Sequence, residues 1–204
     1  MQNKWDKRYS RSEYIYGKNP NTYLEDKLKG LTPGKILFPA DGEGRNSVFA
    51  AKKGWNAYSF DSSKEGKRKA ELLASSQKVQ LDYKISDALE IDYSPDSFDA
   101  MALIYAHFPS DIRRKIHRKL TTFIKPGGYL ILEAFNKNQV ENQRKNPNAG
   151  GPPIEDMLYS LHELLIDFED FEFSEAKETQ TELQEGNHHI GKGAVVRLFG
   201  KRKE

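Results

Sequence analysis

The sequence predicts a single α/β domain built around a mainly parallel sheet. Short apolar runs rich in β-branched and aromatic residues alternate with longer amphipathic stretches along the 204 residues, which is the pattern of β-α-β units. The run at 98–104 is almost continuously apolar, as in a strand that is covered on both faces. A chain of this length buries most of its apolar surface in one core. We therefore expect residues 1–204 to form one domain.

Local signals place the individual elements. The turn Thr32-Pro33-Gly34 precedes the first strand, Gly54 ends the first helix, and Ser62 or Ser63 can cap the second helix. The predicted strands cover residues 35–39, 55–60, 79–85, 98–104, 129–134, 171–175 and 194–200, and the predicted helices cover 46–53, a stretch ending near 76, 110–124 and 154–168.

Two segments outside the β-α-β pattern are predicted to cover a ligand. Residues 137–153 are polar, with two Gly and three Pro, and are predicted to form a mobile loop. Residues 1–30 bring Trp5, Tyr9 and Tyr16 before the first strand. The default role of such aromatics is packing, but the charged residues between them favour a lid segment.

Composition limits the classes of partner. The 32 Lys and Arg are intermixed with 30 Asp and Glu, for a net charge of +2, and Cys is absent. This pattern disfavours nucleic acid as the main partner and excludes disulfides and thiolate chemistry. The basic residues of 113–119 repeat around apolar positions, which favours a solvated helix face. Because no stretch approaches the roughly 20 apolar residues of a membrane span, we expect a cytoplasmic protein that does not bind membranes. We expect it to be a monomer or a weak homodimer.

Acidic and glycine residues follow three successive predicted strands. Ligands of such sheets bind beyond the carboxyl ends of the strands. Gly42 and Gly44 follow the first strand, and glycine lets the backbone approach a ligand closely. Asp61, after the second strand, can accept hydrogen bonds from ribose hydroxyls, and Asp87, after the third, can accept one from an adenine amino group. Together these positions predict a nucleoside site, although each alone is more often a tight turn or a helix cap.

The loop at 41–47 distinguishes between nucleoside cofactors. It places Ser47 where the dinucleotide fingerprint requires its third glycine. Asp41 and Glu43 would also repel a pyrophosphate. S-adenosylmethionine has no phosphate and carries a sulfonium and an ammonium, so an acidic loop suits it better.

The same segments resemble a known enzyme family. The run Ile36-Leu37-Phe38-Pro39-Ala40-Asp41-Gly42-Glu43-Gly44-Arg45-Asn46 resembles the first motif of class I S-adenosylmethionine-dependent methyltransferases. Asp61, Asp87 and the turn at 125–130 fall where that family has its later motifs. The tellurite-resistance and thiol-methyltransferase branch is the most similar, as indicated by Gly42–Asn46, Leu132–Phe135, Glu185-Gly186, His189, Gly191 and Val195–Arg197. The resemblance extends from Trp5 to about Lys201.

The resemblance implies a Rossmann-like, seven-stranded, mostly parallel sheet with an antiparallel last strand. It implies S-adenosylmethionine as the cofactor and a small-molecule methyl acceptor, such as a thiol or a metalloid. The cofactor-binding residues are predicted to be Asp41, Gly42, Glu43, Gly44, Asn46, Asp61, Ser62, Asp87, Ala88 and Tyr105, and the substrate or lid residues to be Trp5, Tyr9, Tyr16, Glu133 and His189.

One position departs from the family pattern. The family commonly has an acidic residue two places after the position of Ile36, whereas this chain has Phe38. Since that carboxylate normally organises the glycine loop, we hypothesise that Asp41 takes over its role. The departure also leaves open a non-catalytic binding module, beside the alternative of a nicotinamide-dependent oxidoreductase.

Histidines are the candidates for acid–base chemistry. His107 follows the fourth strand and is predicted either to act as a base toward the acceptor or to hydrogen-bond its neighbours. His188 and His189 are adjacent, so they point to opposite faces of a strand and no third ligand is evident nearby. We therefore predict no metal site.

Overall fold

The computed structural model describes residues 4–204, so residues 1–3 of the predicted lid segment lie outside the described residues. Its centre is a seven-stranded sheet in the order β3-β2-β1-β4-β5-β7-β6. The strands are β1 (Lys35–Pro39), β2 (Asn56–Asp61), β3 (Asp82–Ile85), β4 (Phe98–Ile104), β5 (Ile124–Phe135), β6 (Phe171–Glu185) and β7 (His189–Arg202). Strands β1 to β5 pair in parallel, whereas β7 runs antiparallel to β5 and β6. The predicted fold class is confirmed, including the antiparallel last strand.

Helices cover both faces of the sheet. They are α1 (Lys4–Tyr9), α2 (Thr22–Leu28), α3 (Arg45–Lys52), α4 (Lys64–Ser76), α5 (Ser110–Thr121), α6 (Gln139–Lys145) and α7 (Leu161–Asp167), with a short 3-10 helix at Glu155–Met157. Alternate residues of β1 point to opposite faces. Leu37 lies in the core that includes residues of α5 and α7, while Ile36 and Phe38 lie in the core that includes residues of α2 and α3.

Strands β6 and β7 form a hairpin much longer than predicted. Their register pairs Phe171 with Arg202 at one end and Glu185 with His189 at the other. The prediction stopped at 175 because the following residues are polar and lack an apolar run. The part of β7 near Val195 and Val196 is deeply buried, whereas the rest of the hairpin has few buried residues, among them Phe171, Leu183 and His189. That part of the hairpin therefore depends largely on backbone pairing.

The segment 137–153 is not an irregular loop throughout, because it contains α6. The amide of Gln139 donates to the carbonyl of Ala149 at 2.8 Å, and that of Asn146 donates to the carbonyl of Ile190 in β7, also at 2.8 Å. These side-chain bonds, which periodicity does not reveal, fold the segment onto the hairpin. Likewise, the single helix predicted at 154–168 is replaced by the 3-10 helix and α7. The mobility of 137–153 stays a prediction.

The basic face of α5 is paired with acidic residues. Arg113 forms an ion pair with Glu163 at 3.3 Å, and Arg118 forms ion pairs with Glu169 and Asp170. Its cations therefore serve packing of α5 against α7 and the turn after it. Within residues 4–204, no helix has the length and apolarity that crossing a bilayer requires.

The chain leaves β1 through a left-handed residue. Ala40 has φ 53°, a conformation that is unfavourable for residues with a Cβ atom. The turn directs the following residues across the end of β2, where the amide of Asp41 donates to the carbonyl of Phe60 at 3.3 Å.

Replacing Ala40 by glycine should raise the free energy of unfolding by up to about 1 kcal/mol, because glycine adopts positive φ without a Cβ clash. As a control, Ala51→Gly in α3 should lower it by about 1 kcal/mol. Denaturant unfolding of both variants measures the difference. Equal destabilisation by the two substitutions would contradict strain at Ala40.

Candidate functional site

The loop after β1 packs closely on its neighbours. Gly42 and Gly44 have φ 60° and 82°. A Cβ atom on Gly44 would lie 2.8 Å from Cα of Ala70 in α4, and one on Gly42 would lie 2.6 Å from the hydroxyl of Tyr9. Only glycine therefore allows α4 and the N-terminal segment to approach the loop this closely.

Asp61, at the end of β2, holds this loop in place. Its carboxylate accepts hydrogen bonds from the amides of Gly42 at 3.0 Å and Ser63 at 2.9 Å. Burial raises the pKa of Asp61 to about 6, despite the opposing effect of these amides. The amide of Ser62 also hydrogen-bonds this carboxylate. Since a carboxylate has about four lone-pair positions, one further donor can still bind Asp61.

The carboxyl group of Asp41 links the loop to the core. One oxygen accepts from the hydroxyls of Ser47 in α3 and Ser59 in β2, and the other is buried with no partner among the described residues. Burial raises the pKa of Asp41 to about 6, although the two hydroxyls lower it. These contacts support the hypothesis that Asp41 organises the loop in place of Phe38, which is buried in the core.

The side chain of Glu43 faces the N-terminal segment rather than the strand ends. It forms a buried ion pair with Lys69 of α4 at 2.5 Å, and its second oxygen accepts from the amide of Ile15 at 2.8 Å. Lys69 also donates to the carbonyls of Arg11 and Glu13. With both oxygens engaged, the carboxylate of Glu43 ties residues 11–15 to the loop, so its prediction as a cofactor-binding side chain is not supported by this geometry.

The outer part of the predicted nucleoside site is open to solvent. Asp87 is exposed and one of its oxygens accepts from the amide of Leu89 at 2.8 Å, while the neighbouring Ala88 is buried. Ser62 is exposed next to Asp61. Asn46 is buried instead, where its side-chain oxygen accepts from the amide of Asn21, so it supports the N-terminal segment.

Helix α1 lies against α4 beside the strand ends. Asp6 accepts from the hydroxyl of Ser63 at 2.6 Å and from the amide of Glu65, so it caps α4. Tyr9 is buried and stacks on Trp5 with ring centroids 5.5 Å apart. Of the predicted lid residues, Tyr9 therefore lies against Gly42 of the loop, whereas Tyr16 lines a neighbouring cleft.

A polar cleft opens beside this region. It has a volume of about 340 Å³ and lies between residues 16–22, the β6 segment 181–186, and a floor formed by Arg45, Tyr105 and Glu133. Asn21 is at its centre, because its amide nitrogen donates to Glu133 at 2.6 Å and to Glu185 at 3.1 Å. The sequence analysis missed Asn21, although Pro20-Asn21-Thr22 before an apolar stretch is a recognisable helix start and Asn21 does cap α2.

Tyr105 connects the cleft with the end of β4. It has φ 53°, and such strained residues cluster at functional sites. Its hydroxyl donates to Glu133 at 2.8 Å, and its ring stacks on Phe135 with centroids 4.7 Å apart. Glu133 also accepts from Arg197 at 2.6 Å, so both oxygens of this buried carboxylate are hydrogen-bonded.

His189 lies behind the cleft among aromatic rings. Its ring centroid is 4.5 Å from that of Tyr16 and 4.6 Å from that of Tyr105. Nδ1 lies 2.9 Å from Glu185 Oε2, and a donating Nδ1 leaves a lone pair on Nε2. Burial lowers the pKa of His189 despite Glu185, which favours the neutral ring. Gly150 covers the ring edge, since a Cβ atom there would lie 2.9 Å from Nε2.

Both ring nitrogens of His107 are engaged by the backbone. Nε2 accepts from the amide of Phe135 at 3.2 Å, so Nδ1 donates to the carbonyl of Met157 at 2.8 Å. Burial lowers the pKa of His107 to about 4. With no free lone pair, this geometry supports the second of the two predicted roles, in which His107 hydrogen-bonds its neighbours.

Comparisons with known proteins relate both the sequence and the fold of this chain to methyltransferases. Residues 36–128 match the family model described as a methyltransferase domain. No curated protein matches the chain. Among solved structures, TehB from Haemophilus influenzae has a TM-score of 0.72 at 17% identity, over 98% of this chain and 66% of that one.

Two further structures show the same fold. A SAM-dependent methyltransferase from Methanosarcina mazei has a TM-score of 0.70 at 20% identity, over 91% of this chain and 100% of that one. The magnesium protoporphyrin IX methyltransferase of Synechocystis PCC 6803, solved with bound SAH, has a TM-score of 0.69 at 14% identity, over 97% and 92% of the two chains. Residues 36–128 thus match a methyltransferase domain, and the chain as a whole has the Rossmann-like fold of these solved structures.

Proposed function

We propose that this protein binds S-adenosylmethionine across the ends of β1, β2 and β3 and transfers its methyl group to a small molecule held in the cleft. The observation that carries the proposal is the set of carboxylates at three successive strand ends, Asp41, Asp61 and Asp87. Asp61 retains a lone pair for a ribose hydroxyl, and one buried oxygen of Asp41 has no partner within residues 4–204. These groups fit the cofactor.

Electrostatics favour a cationic cofactor at this edge. Burial raises the pKa values of Asp41 and Asp61 to about 6, because their negative charges lack compensation there. The positive charges of a bound sulfonium and ammonium would compensate these carboxylates. The same two groups would repel the pyrophosphate of a nicotinamide cofactor.

The cleft has dimensions suited to a small acceptor. Its volume of about 340 Å³ lies within the usual range of small-molecule sites. Tyr105 lies at the end of β4 and also lines the cleft, which supports placing the acceptor next to the cofactor. Alignment and exclusion of water then supply much of the rate acceleration, because the sulfonium is already an activated methyl donor.

A protonated acceptor needs a group to take its proton. As the new bond to the methyl carbon forms, the carbon–sulfur bond breaks and its electron pair stays on sulfur, while the proton on the acceptor leaves. His189 is the candidate for that proton, since Glu185 orients its ring and Nε2 retains a lone pair. Movement of Gly150 is required for the acceptor to reach Nε2.

Asp61→Ala should weaken binding of S-adenosylhomocysteine by about 1–3 kcal/mol, since it removes the ribose contact and leaves the amide of Gly42 unpaired. Asp82→Ala, at the opposite end of β3 and exposed, is the control and should have no effect. Calorimetric titrations with S-adenosylhomocysteine and with NAD measure both variants and the unmodified protein. Unchanged affinity in Asp61→Ala, or tighter binding of NAD, would disprove the cofactor assignment.

His189→Asn should lower the methylation rate by about 10²–10⁴ while cofactor affinity is retained. His188→Asn should have little effect, because His188 lies in the partly exposed hairpin turn before β7. Single-turnover assays with labelled S-adenosylmethionine compare the two. Similar rates in both variants would show that positioning alone suffices.

His107→Asn should change the methylation rate little but alter the pH dependence of stability. The pKa of His107 is lowered to about 4 in the folded state, against roughly 6.5 when unfolded. The unfolded chain therefore binds the extra proton between these values, so stability falls as pH drops below about 6.5, by roughly 3 kcal/mol near pH 4. Denaturant unfolding across this window should show a shallower pH slope for the variant than for the unmodified protein. A rate loss above a hundredfold in a folded variant would instead support His107 as the base.

A further inference from the structure

Two ion pairs lie in and directly behind the lining of the cleft. Arg45 lies 3.0 Å from Glu185, with side chains only 8% and 10% exposed. Arg197 lies 2.6 Å from Glu133, whose side chain is 1% exposed. Each buried cation is therefore matched by a buried anion in direct contact.

Each arginine also makes one further hydrogen bond. Arg45 donates from Nη1 to the carbonyl of Asn19 at 3.2 Å. Arg197 donates from Nη2 to the hydroxyl of Thr181 at 3.3 Å, and its guanidinium lies 4.7 Å from the ring centroid of Tyr23. Neither guanidinium has the exposed bidentate face with which arginine usually binds oxyanions.

The carboxylate of Glu185 keeps its charge throughout the physiological pH range. Burial would raise the pKa of Glu185, but Arg45 and His189 outweigh it and lower the pKa to about 2. The start of α2 is a third source of positive potential. The side chain of Asn21 already accepts the hydrogen bond of the Leu24 amide there, at 3.0 Å. On the rim, Lys18 and Glu182 are exposed and of opposite charge, so solvent screens both.

We propose that the cleft selects uncharged methyl acceptors and excludes oxyanions, an inference that rests on the proposed function of the cleft as the acceptor site. An anion close enough to contact Arg45 or Arg197 would lie almost as close to Glu185 or Glu133, so attraction and repulsion nearly cancel. The desolvation of the anion is then uncompensated. An uncharged thiol, alcohol or amine carries a smaller desolvation penalty and can use the polar lining of the cleft.

Selenite binding to charge variants tests the pairing directly. With S-adenosylhomocysteine present, calorimetry should detect no selenite binding to the unmodified protein. Glu185→Gln releases the charge of Arg45 and should make selenite binding measurable, with an affinity at least tenfold above the detection limit. Glu182→Gln removes the same charge from the rim without releasing an arginine and should produce no such gain.

The proposal would be overturned if the unmodified protein bound selenite as tightly as Glu185→Gln does, or if Glu182→Gln bound it as tightly as Glu185→Gln. The absence of selenite binding to a folded Glu185→Gln would also overturn it. Should Glu185→Gln fail to fold by circular dichroism, Glu133→Gln releases Arg197 and provides the same test. Binding of S-adenosylhomocysteine is measured first in the unmodified protein. Its absence would count against the proposed function, while the selenite comparison would still decide the charge argument.

Matched thiols test the same selection during turnover. The neutral 2-mercaptoethanol and the anionic mercaptoacetate present the same nucleophile. Labelled S-adenosylmethionine should show methylation of the neutral thiol at least ten times faster in kcat/KM, and Glu185→Gln should narrow that ratio. An equal or higher rate with mercaptoacetate would contradict the proposal.

Discussion

The buried ion pair between Glu43 and Lys69 is the contact on which the rest of the site depends. It joins the loop after β1, helix α4 and residues 11–15 at a single point. Removing one partner of such a pair commonly costs about 3–5 kcal/mol, because the other charge stays buried without compensation. The position of Tyr16 at the mouth of the cleft follows from this anchor, since the pair fixes the amide of the preceding Ile15.

The sequence was sufficient for the sheet but not for the polar network around the cleft. Strands β1 and β4 were predicted with their observed limits, because both are continuous apolar runs that occupy the centre of the sheet. Asp61 and Asp87 were also placed correctly at the ends of β2 and β3. The network around Asn21, Arg45 and Glu185 joins residues 164 positions apart in the case of Asn21 and Glu185, and no local pattern reports such contacts.

The errors share a physical origin. Residues 176–185 are mostly polar, so their strand depends on hydrogen bonds to β7 rather than on an apolar face. Helix α6 in the predicted loop is likewise held by the amides of Gln139 and Asn146. Hydrophobic periodicity predicts elements that bury an apolar face, but it does not predict elements that are stabilised by specific polar partners. His107 is a related case, since its position after β4 indicated an active-site role that its backbone partners do not favour.

Because the β6–β7 hairpin is long, two parts of the chain that are far apart in sequence form one site. The carboxylates proposed to hold the cofactor lie within 36–128, the segment that matches the methyltransferase domain. Glu185 and His189 come instead from the far end of the hairpin, whose tip reaches the N-terminal segment through the bond from the amide of Asn187 to the carbonyl of Ile15. Substitutions in the outer hairpin can therefore diversify the cleft in evolution while the glycine loop and its carboxylates remain unchanged.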